Sequence, residues 1–343
     1  MNMKNIYYLF LGMVVAICCV SCNNEWEDEQ YLHMASFKAN VNAQGVTTTY
    51  VRYKPGGVVQ YKLPIIISGS TVSDRPLNIQ IALDPDTLAV LNQNVYGHRQ
   101  ELYFQQLPSQ YYNMSETVEI PAGETTGVLP IDFKLTEDLD QADKWVLPLQ
   151  IVDDPSLGYK ANPRKYFRRA MLRLLPFNDY SGTYDAAQYL IHFKTDVDNK
   201  EPFTVSEQRA FVVDDRTVFI YAGTRDIDYL DRKLYKIFIR FPEEGNDTKQ
   251  LEVWAENDEL NFGPLTDADG KPLAFQSNFS MYSEMDELKP YLKKIFITMN
   301  LYYEFDDYTT VPGKRIRYKV QGSLSMQRNL NTLIPDEDQQ VQW

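Results

Sequence analysis

The chain has 343 residues, enough for two domains, and carries 47 acidic against 34 basic side chains, a net charge of −13. That balance argues against nucleic acid as a partner, because phosphates need clustered Lys and Arg. Its three cysteines, Cys18, Cys19 and Cys22, all fall at the N-terminus, which excludes a disulfide framework for everything after them.

In residues 1–21 Lys4 is the only charge, and an apolar run from Ile6 to Val20 ends on the small residue Ser21. A basic start, a short apolar middle and a small residue before the cut define a secretory signal. The run is too short for the roughly 20 apolar residues of a membrane-spanning helix. Val20-Ser21-Cys22 resembles the bacterial lipobox, with Cys19 standing where leucine is usual. The expectation is cleavage before Cys22 and a lipid on its thiol, with the membrane as a partner through that anchor; several buried alkyl chains make such anchoring stable. Residues 22–30 then form a lipidated acidic tether, Asn-Asn-Glu-Trp-Glu-Asp-Glu being its charged part.

From there the pattern is strand after strand, over a first domain at 31–175. Val58 to Ile67 is apolar and β-branched, Leu77, Ile79, Ile81 and Leu83 share one face, and Val128 to Leu135 alternates again. Trp145 to Ile151 reads as a strand in which Pro148 marks an edge or a bulge. Leu88 to Asn92 and Leu102 to Leu107 read as helical turns in a long connection. The basic run Arg164 to Arg169 alternates like a strand with a solvated face. Short strands with frequent turns predict an immunoglobulin-like β-sandwich. Asp86-Thr87-Leu88 is similar to the short O-glycosylation pattern of exported Bacteroidetes proteins, which makes Thr87 a candidate modification site.

A second domain, 176–343, opens on a cluster of turn formers from Pro176 to Tyr184. Ala210 to Val213 and Val218 to Ala222 flank the turn Asp214-Asp215-Arg216. Lys233 to Phe241 places Tyr235, Ile237, Ile239 and Phe241 on one side. Ile295, Ile297, Met299, Leu301 and Tyr303 line one face of a long strand, and Ile316, Tyr318, Val320, Gly322, Leu324 and Met326 one face of the last. Long sequential strands with one polar face predict an up-and-down antiparallel barrel, so the whole chain is all-β.

Glu25 to Tyr31, Ile120-Pro121-Ala122-Gly123 and Val146-Leu147-Pro148-Leu149 resemble an N-terminal domain of unknown function found in Bacteroidetes surface lipoproteins. Asn178 to Tyr184 and the ending Leu330 to Asp338 resemble its usual partner, a C-terminal lipocalin-like domain. The resemblance covers nearly all of the chain beyond the signal. It implies a cell-surface, outer-membrane lipoprotein in a polysaccharide-uptake system of the starch-utilisation type, with an oligosaccharide ligand and an outer-membrane glycan transporter as partners.

The residues themselves point away from catalysis and imply no cofactor. His33, His98 and His192 lack metal-ligand spacing, and no phosphate loop or nucleophile elbow is present. The acidic pairs Asp153/Asp154, Asp214/Asp215, Glu243/Glu244 and Asp306/Asp307 read as turn chemistry or solubility rather than a glycosidase pair. Asp267-Ala268-Asp269-Gly270 lacks the further acidic ligands of a calcium loop, so no metal site is expected. Trp254 is different, because it alternates against Leu251, Val253 and Ala255 and so shares the polar face of its strand. Either it stacks on a sugar, with carboxylates and amides beside it, or it packs under a neighbouring loop or domain. Phe296, Thr298, Asn300, Tyr302 and Glu304 form a similar face on the next long strand, which makes Asn300 and Tyr302 further candidates. The function expected is non-catalytic glycan binding. An adhesin-type or structural role in protein contact is the alternative, and a glycan hydrolase stands behind both.

Overall fold

A computed structural model describes residues 31–334, apart from 55–56, 137–138, 141–142 and 244–248. The signal segment, Cys22 and the acidic tether lie outside the described residues.

The N-terminal unit contains β1 (Met34–Phe37), β2 (Thr47–Arg52), β3 (Val58–Ser68), β4 (Leu77–Leu83), β5 (Gln105–Gln106), β6 (Tyr112–Met114), β7 (Thr117–Ile120), β8 (Thr126–Lys134), β9 (Trp145–Ile151), β10 (Lys160–Ala161) and β11 (Arg169–Phe177). They form two sheets, β10-β1-β3-β8-β6 and β2-β11-β9-β4-β7, with β5 added beside β9. Alternate residues of both sheets meet in one core, where Leu63, Ile65, Leu129, Ile131, Leu147 and Leu149 are fully buried. This is the sandwich the alternation predicts.

Three local readings change. Pro148 lies in a central strand, between β4 and β11, and not at an edge. It is tolerated because the residue opposite is Asp84, just past β4: the Asp84 amide donates to the Pro148 carbonyl at 3.0 Å, while the Asp84 carbonyl accepts from Leu88 N of the following helix and needs no donor from the proline. Gln100–Leu102 is a single helical turn, but Gln105–Gln106 is a strand. The basic run is a short helix, Lys165–Arg168, before it becomes strand at Arg169; Asn162-Pro163 starts a turn there, and the Asn162 side chain accepts from the Arg164 amide at 3.1 Å. The helical reading around Leu88 extends over Pro85–Tyr96, because Asp84 caps its N-terminus, Pro85 occupies the first turn and Gly97 ends it with positive φ.

The C-terminal unit is β12 (Gly182–Phe193), β13 (Glu207–Val212), β14 (Thr217–Tyr221), β15 (Lys236–Arg240), β16 (Glu252–Trp254), β17 (Asn278–Met285), β18 (Leu292–Asp307) and β19 (Ile316–Asn331). The sheet order is β16-β15-β14-β13-β12-β19-β18-β17. A bridge between Gln250 and Asn278 closes it, with Leu251 N donating to Ser277 O and Phe279 N to Lys249 O, both at 2.9 Å. Every strand therefore neighbours its sequence neighbour, and the bridge joins the two end strands of the sheet. The reading of Lys233–Phe241 needs one correction: Arg232–Tyr235 is a helical turn, and strand begins at Lys236. Tyr235, Ile237, Ile239 and Phe241 nonetheless all enter the core.

Side chains fill the barrel. Tyr184, Tyr189, Met299, Leu301, Tyr303 and Phe305 are buried in it, and the Tyr189 and Tyr303 hydroxyls hydrogen-bond each other at its centre. Burial pushes both phenols up. Gly322 is required by the wall: its φ is +136°, and a Cβ there would overlap the Gln188 carbonyl oxygen, where β12 carries an irregularity in its pairing to β19.

The two units join through the turn cluster. Asn178 Oδ1 accepts from Tyr180 N and Ser181 N, while its amide donates to the Asp214 and Thr217 carbonyls. Arg328 donates to the Asn178 and Ser181 carbonyls, and its guanidinium lies over the Phe177 ring. The motif that identifies the second domain is thus the clamp at its entrance.

Candidate functional site

Alternation along β18 divides its side chains between the filled interior and the outside. Phe296, Thr298, Asn300 and Tyr302 lie outside, in register with Gln327, Ser325, Ser323 and Gln321 of β19. On the other flank β17 contributes Tyr282, Ser280 and Asn278 opposite Phe296, Thr298 and Asn300. The result is a face of hydroxyls and amides held by two continuous ladders. Asn300 Nδ2 donates to Asn278 Oδ1 at 2.9 Å, and Asn278 donates on to Gln276 O at 3.0 Å. Tyr302 stacks on Phe275, with centroids 5.5 Å apart and planes at 26°, while Phe275 itself is 60% exposed. Tyr282 stacks on Phe296 at 4.7 Å and 14°, with Tyr282 61% exposed. An exposed ring next to fixed amides can take the C–H face of a polar ring while hydrogen-bonding its hydroxyls.

Glu304 does not belong to this face, although its spacing suggests it. It is 2% exposed and is held by Lys194 at 2.6 Å, Thr266 N at 2.7 Å and Arg317 at 3.2 Å. Burial works against its ionisation, but hydrogen bonds from Lys194 and Thr266 hold the carboxyl below its usual range.

Trp254 points out of the barrel as well, on a different stretch of wall. It is half-buried, stacks on Phe238 at 5.4 Å and 17°, and has the Arg240 guanidinium 5.0 Å from its ring centre. It is the outer rung of an aromatic ladder that continues through Phe238 and Phe219 to Phe211, all three buried. The N-terminal unit covers those inner rungs. Phe219 and Phe238 line, with Tyr53, Leu135, Leu139 and Pro176, a cleft of about 340 Å³ between the units. Lys236 crosses it to Asp140 at 2.7 Å, and Lys144 reaches Asp228 at 3.1 Å. The structure thus gathers Asn300 and Tyr302 with Asn278 and Phe275, and Trp254 with Phe238 and Arg240.

Thr87 lies half-buried in the first turn of the helix Pro85–Tyr96, its amide bound by Asp84. It borders a groove of about 200 Å³ with Val90, Leu91, Val95 and Tyr166.

The acidic pairs divide. Asp154 caps Ser156, and Asp214 accepts from Arg216 N and Thr217 N, as turn residues do. Asp306 and Asp307 do not fit that reading, because both are buried at the end of β18. Asp306 pairs with Arg317 at 2.9 Å, and Asp307 with Arg225 at 3.0 Å and the Tyr235 hydroxyl at 2.9 Å. Burial raises the Asp307 carboxyl, but hydrogen bonds from Thr310 and the Arg225 charge outweigh it and bring it to about 2. Asp267 anchors a turn through Asp269 N and Lys271 N. Among the described residues no three His, Cys, Asp or Glu side chains group as metal ligands, and no helix is long and apolar enough to cross a membrane.

Phe275, Asn278 and Tyr282 escape the sequence reading. The alternation Asn278, Ser280, Tyr282 against Phe279 and Met281 is present in the sequence and could have marked β17. Phe275 lies in a loop and carries no such signal.

A mixed β-sandwich followed by a filled, closed barrel with a polar-aromatic outer face defines the class. The comparisons then place the chain. Residues 26–155 match the family model described as a domain of unknown function, DUF4973, and residues 168–325 match that of a C-terminal domain. A solved Bacteroides ovatus structure, of a multidomain protein including DUF1735, is 38% identical with TM-score 0.78, covering 92% of this chain and 100% of that one. Another from Bacteroides ovatus, of unknown function, is 38% identical with TM-score 0.76, over 89% of this chain and 95% of its own. A third, from Bacteroides thetaiotaomicron, is described as an auxiliary nutrient binding protein; it is 35% identical with TM-score 0.76, over 89% of this chain and 100% of its own. The chain belongs to the family of these Bacteroides proteins, and its own N-terminal part is the DUF4973 match. No curated protein matches it.

Proposed function

We propose that this protein is a non-catalytic carbohydrate-binding lipoprotein of the outer-membrane surface, an accessory to polysaccharide uptake. The observation that carries the reading is the exposed Phe275–Tyr302 pair beside the Asn278–Asn300 amides. It offers ring stacking and directional hydrogen bonds on a continuous sheet. The similarity to a protein described as an auxiliary nutrient binding protein supports a role in nutrient capture. A lipid on Cys22 would hold the binding face at the membrane, and a glycan transporter is the partner that would receive the ligand.

The test is a glycan array on the chain lacking residues 1–22, followed by calorimetry of Tyr302→Ala against the best ligand. Binding that Tyr302→Ala weakens several-fold, with the melting temperature kept, supports the reading; a blank array rejects it. Anchoring has its own test. Cys22→Ala is expected in the soluble fraction, and retention on membranes after a high-salt wash would contradict lipidation. A second reading, as a protein-interaction subunit, has one observation behind it: the apolar groove formed by Val90, Leu91, Val95 and Tyr166 on the N-terminal unit.

A further inference from the structure

We infer that the outer face of β17–β19 is a track for the interior of a linear, uncharged polysaccharide, rather than a pocket for a sugar end; this rests on the carbohydrate reading above. Two features of the face lead there. The first is spacing. The pairs Tyr282–Phe296 and Phe275–Tyr302 lie at the two ends of one stretch of β18, six residues apart, which is about 20 Å of strand. That separation exceeds any monosaccharide and spans several sugar units of an extended chain. The barrel beneath is filled, so a ligand here lies along the surface and does not enter it.

The second feature is charge. Between the two aromatic pairs the face consists of Asn278, Ser280, Thr298, Asn300, Ser323 and Ser325, flanked by Gln321 and Gln327. Each of these side chains both donates and accepts, as sugar hydroxyls do. None is charged. Charged residues begin at the two ends: Lys294, paired with Asp286 at 2.8 Å, and Glu284 at one, and at the other Lys194 and Arg317, both on Glu304, with Lys319 donating to the Asp196 carbonyl. Asp185, one strand further out on β12, accepts from Ala187 N. A carboxylate or sulfate on a chain bound between the aromatic pairs would lose water against uncharged amides and hydroxyls, and the net charge of −13 repels it further.

The experiment is affinity electrophoresis of the chain lacking residues 1–22 through gels containing amylose, xylan, galactomannan, arabinan, polygalacturonate or alginate. Calorimetry with a length series of oligosaccharides from the best-retaining polymer follows. Retardation is expected with at least one neutral polymer and with neither uronate. Affinity should rise with length until the oligosaccharide reaches both aromatic pairs. Tyr282→Ala, at an exposed position, should weaken the longest oligosaccharide about five-fold and leave the shortest binder unchanged. Tyr302→Ala should weaken both. Three results overturn the track while leaving carbohydrate binding intact: a disaccharide as tight as the polymer, a preference for a uronate, or no effect of Tyr282→Ala on the longest ligand. Retention by no polymer together with a blank array overturns both.

Discussion

Two stretches of the same barrel wall carry stacked aromatics outward, and they have opposite fates. On β13–β16 the ladder Phe211, Phe219, Phe238 is buried, because the N-terminal unit lies across it. On β17–β18 the pairs at Tyr282 and Tyr302 stand among amides and hydroxyls and keep exposed rings. The composition of the surrounding positions separates the two. Around the first, apolar neighbours such as Val213 and Ile227 pack against the rings; around the second, Ser, Thr, Asn and Gln separate the two aromatic pairs. An aromatic ring alone therefore identifies neither an interface nor a binding site. Its neighbours decide.

The largest effect is expected where the wall of the open face is most constrained. Gly322→Ala would drive a Cβ into the Gln188 carbonyl and should cost more than about 4 kcal/mol, read as lost soluble expression or a collapsed urea midpoint. An ordinary melting curve would show that β12 yields at that point. Phe238→Ala, in the covered ladder, should cost about 3–5 kcal/mol, as buried aromatic truncations do. A loss below about 1 kcal/mol would mean that the ladder does not hold this wall in place.

Next comes the end of β18, which is neither face. The Asp307 carboxyl has a folded pKa of about 2, below the unfolded value near 4, so its contribution is complete above pH 4 and disappears as pH falls through 2. The contribution is about 2 kcal/mol. The stability gap between wild type and Asp307→Asn should narrow over that window, and a constant gap would refute the linkage. Trp254→Ala, at the half-buried rung, should cost about 1–2 kcal/mol through the lost stack on Phe238 and the Arg240 contact. Tyr302→Ala should change stability by less than about 1 kcal/mol, its effect appearing in affinity. Thermal melts of the last two variants side by side sharpen the contrast: the reverse order would exchange the roles of the two stretches.

Much of this was legible in the sequence because long strands repeat their signal. Phe296 to Tyr303 of β18 alternate without a break, so the shared side of Asn300 and Tyr302 follows from period two alone. Trp254 was placed on the correct side by the same rule, opposite Leu251 and Val253. What covers that side depends on Tyr53, Leu135 and Pro176, from the first domain, and local pattern carries no information about them. Barrel closure through Gln250 and Asn278 is likewise a pairing between distant segments. Glu304 shows the opposite limit: its period is right, yet Lys194, from another strand, and Thr266, from a loop, draw the carboxylate into an ion cluster. Pro148 shows how a rule about edges yields where the facing residue, Asp84, has turned from strand into helix and gives its carbonyl to Leu88 N.

The filled barrel has a consequence for divergence. With Tyr189, Tyr303 and their neighbours occupying the lumen, the positions that hold the fold and the positions that meet the outside are different residues of the same strands. Replacing Ser323, Ser325, Thr298 or Asn300 leaves the packing beneath them undisturbed. Exchange of a few outward side chains therefore alters the surface of the barrel, while the inward ones keep its shape constant.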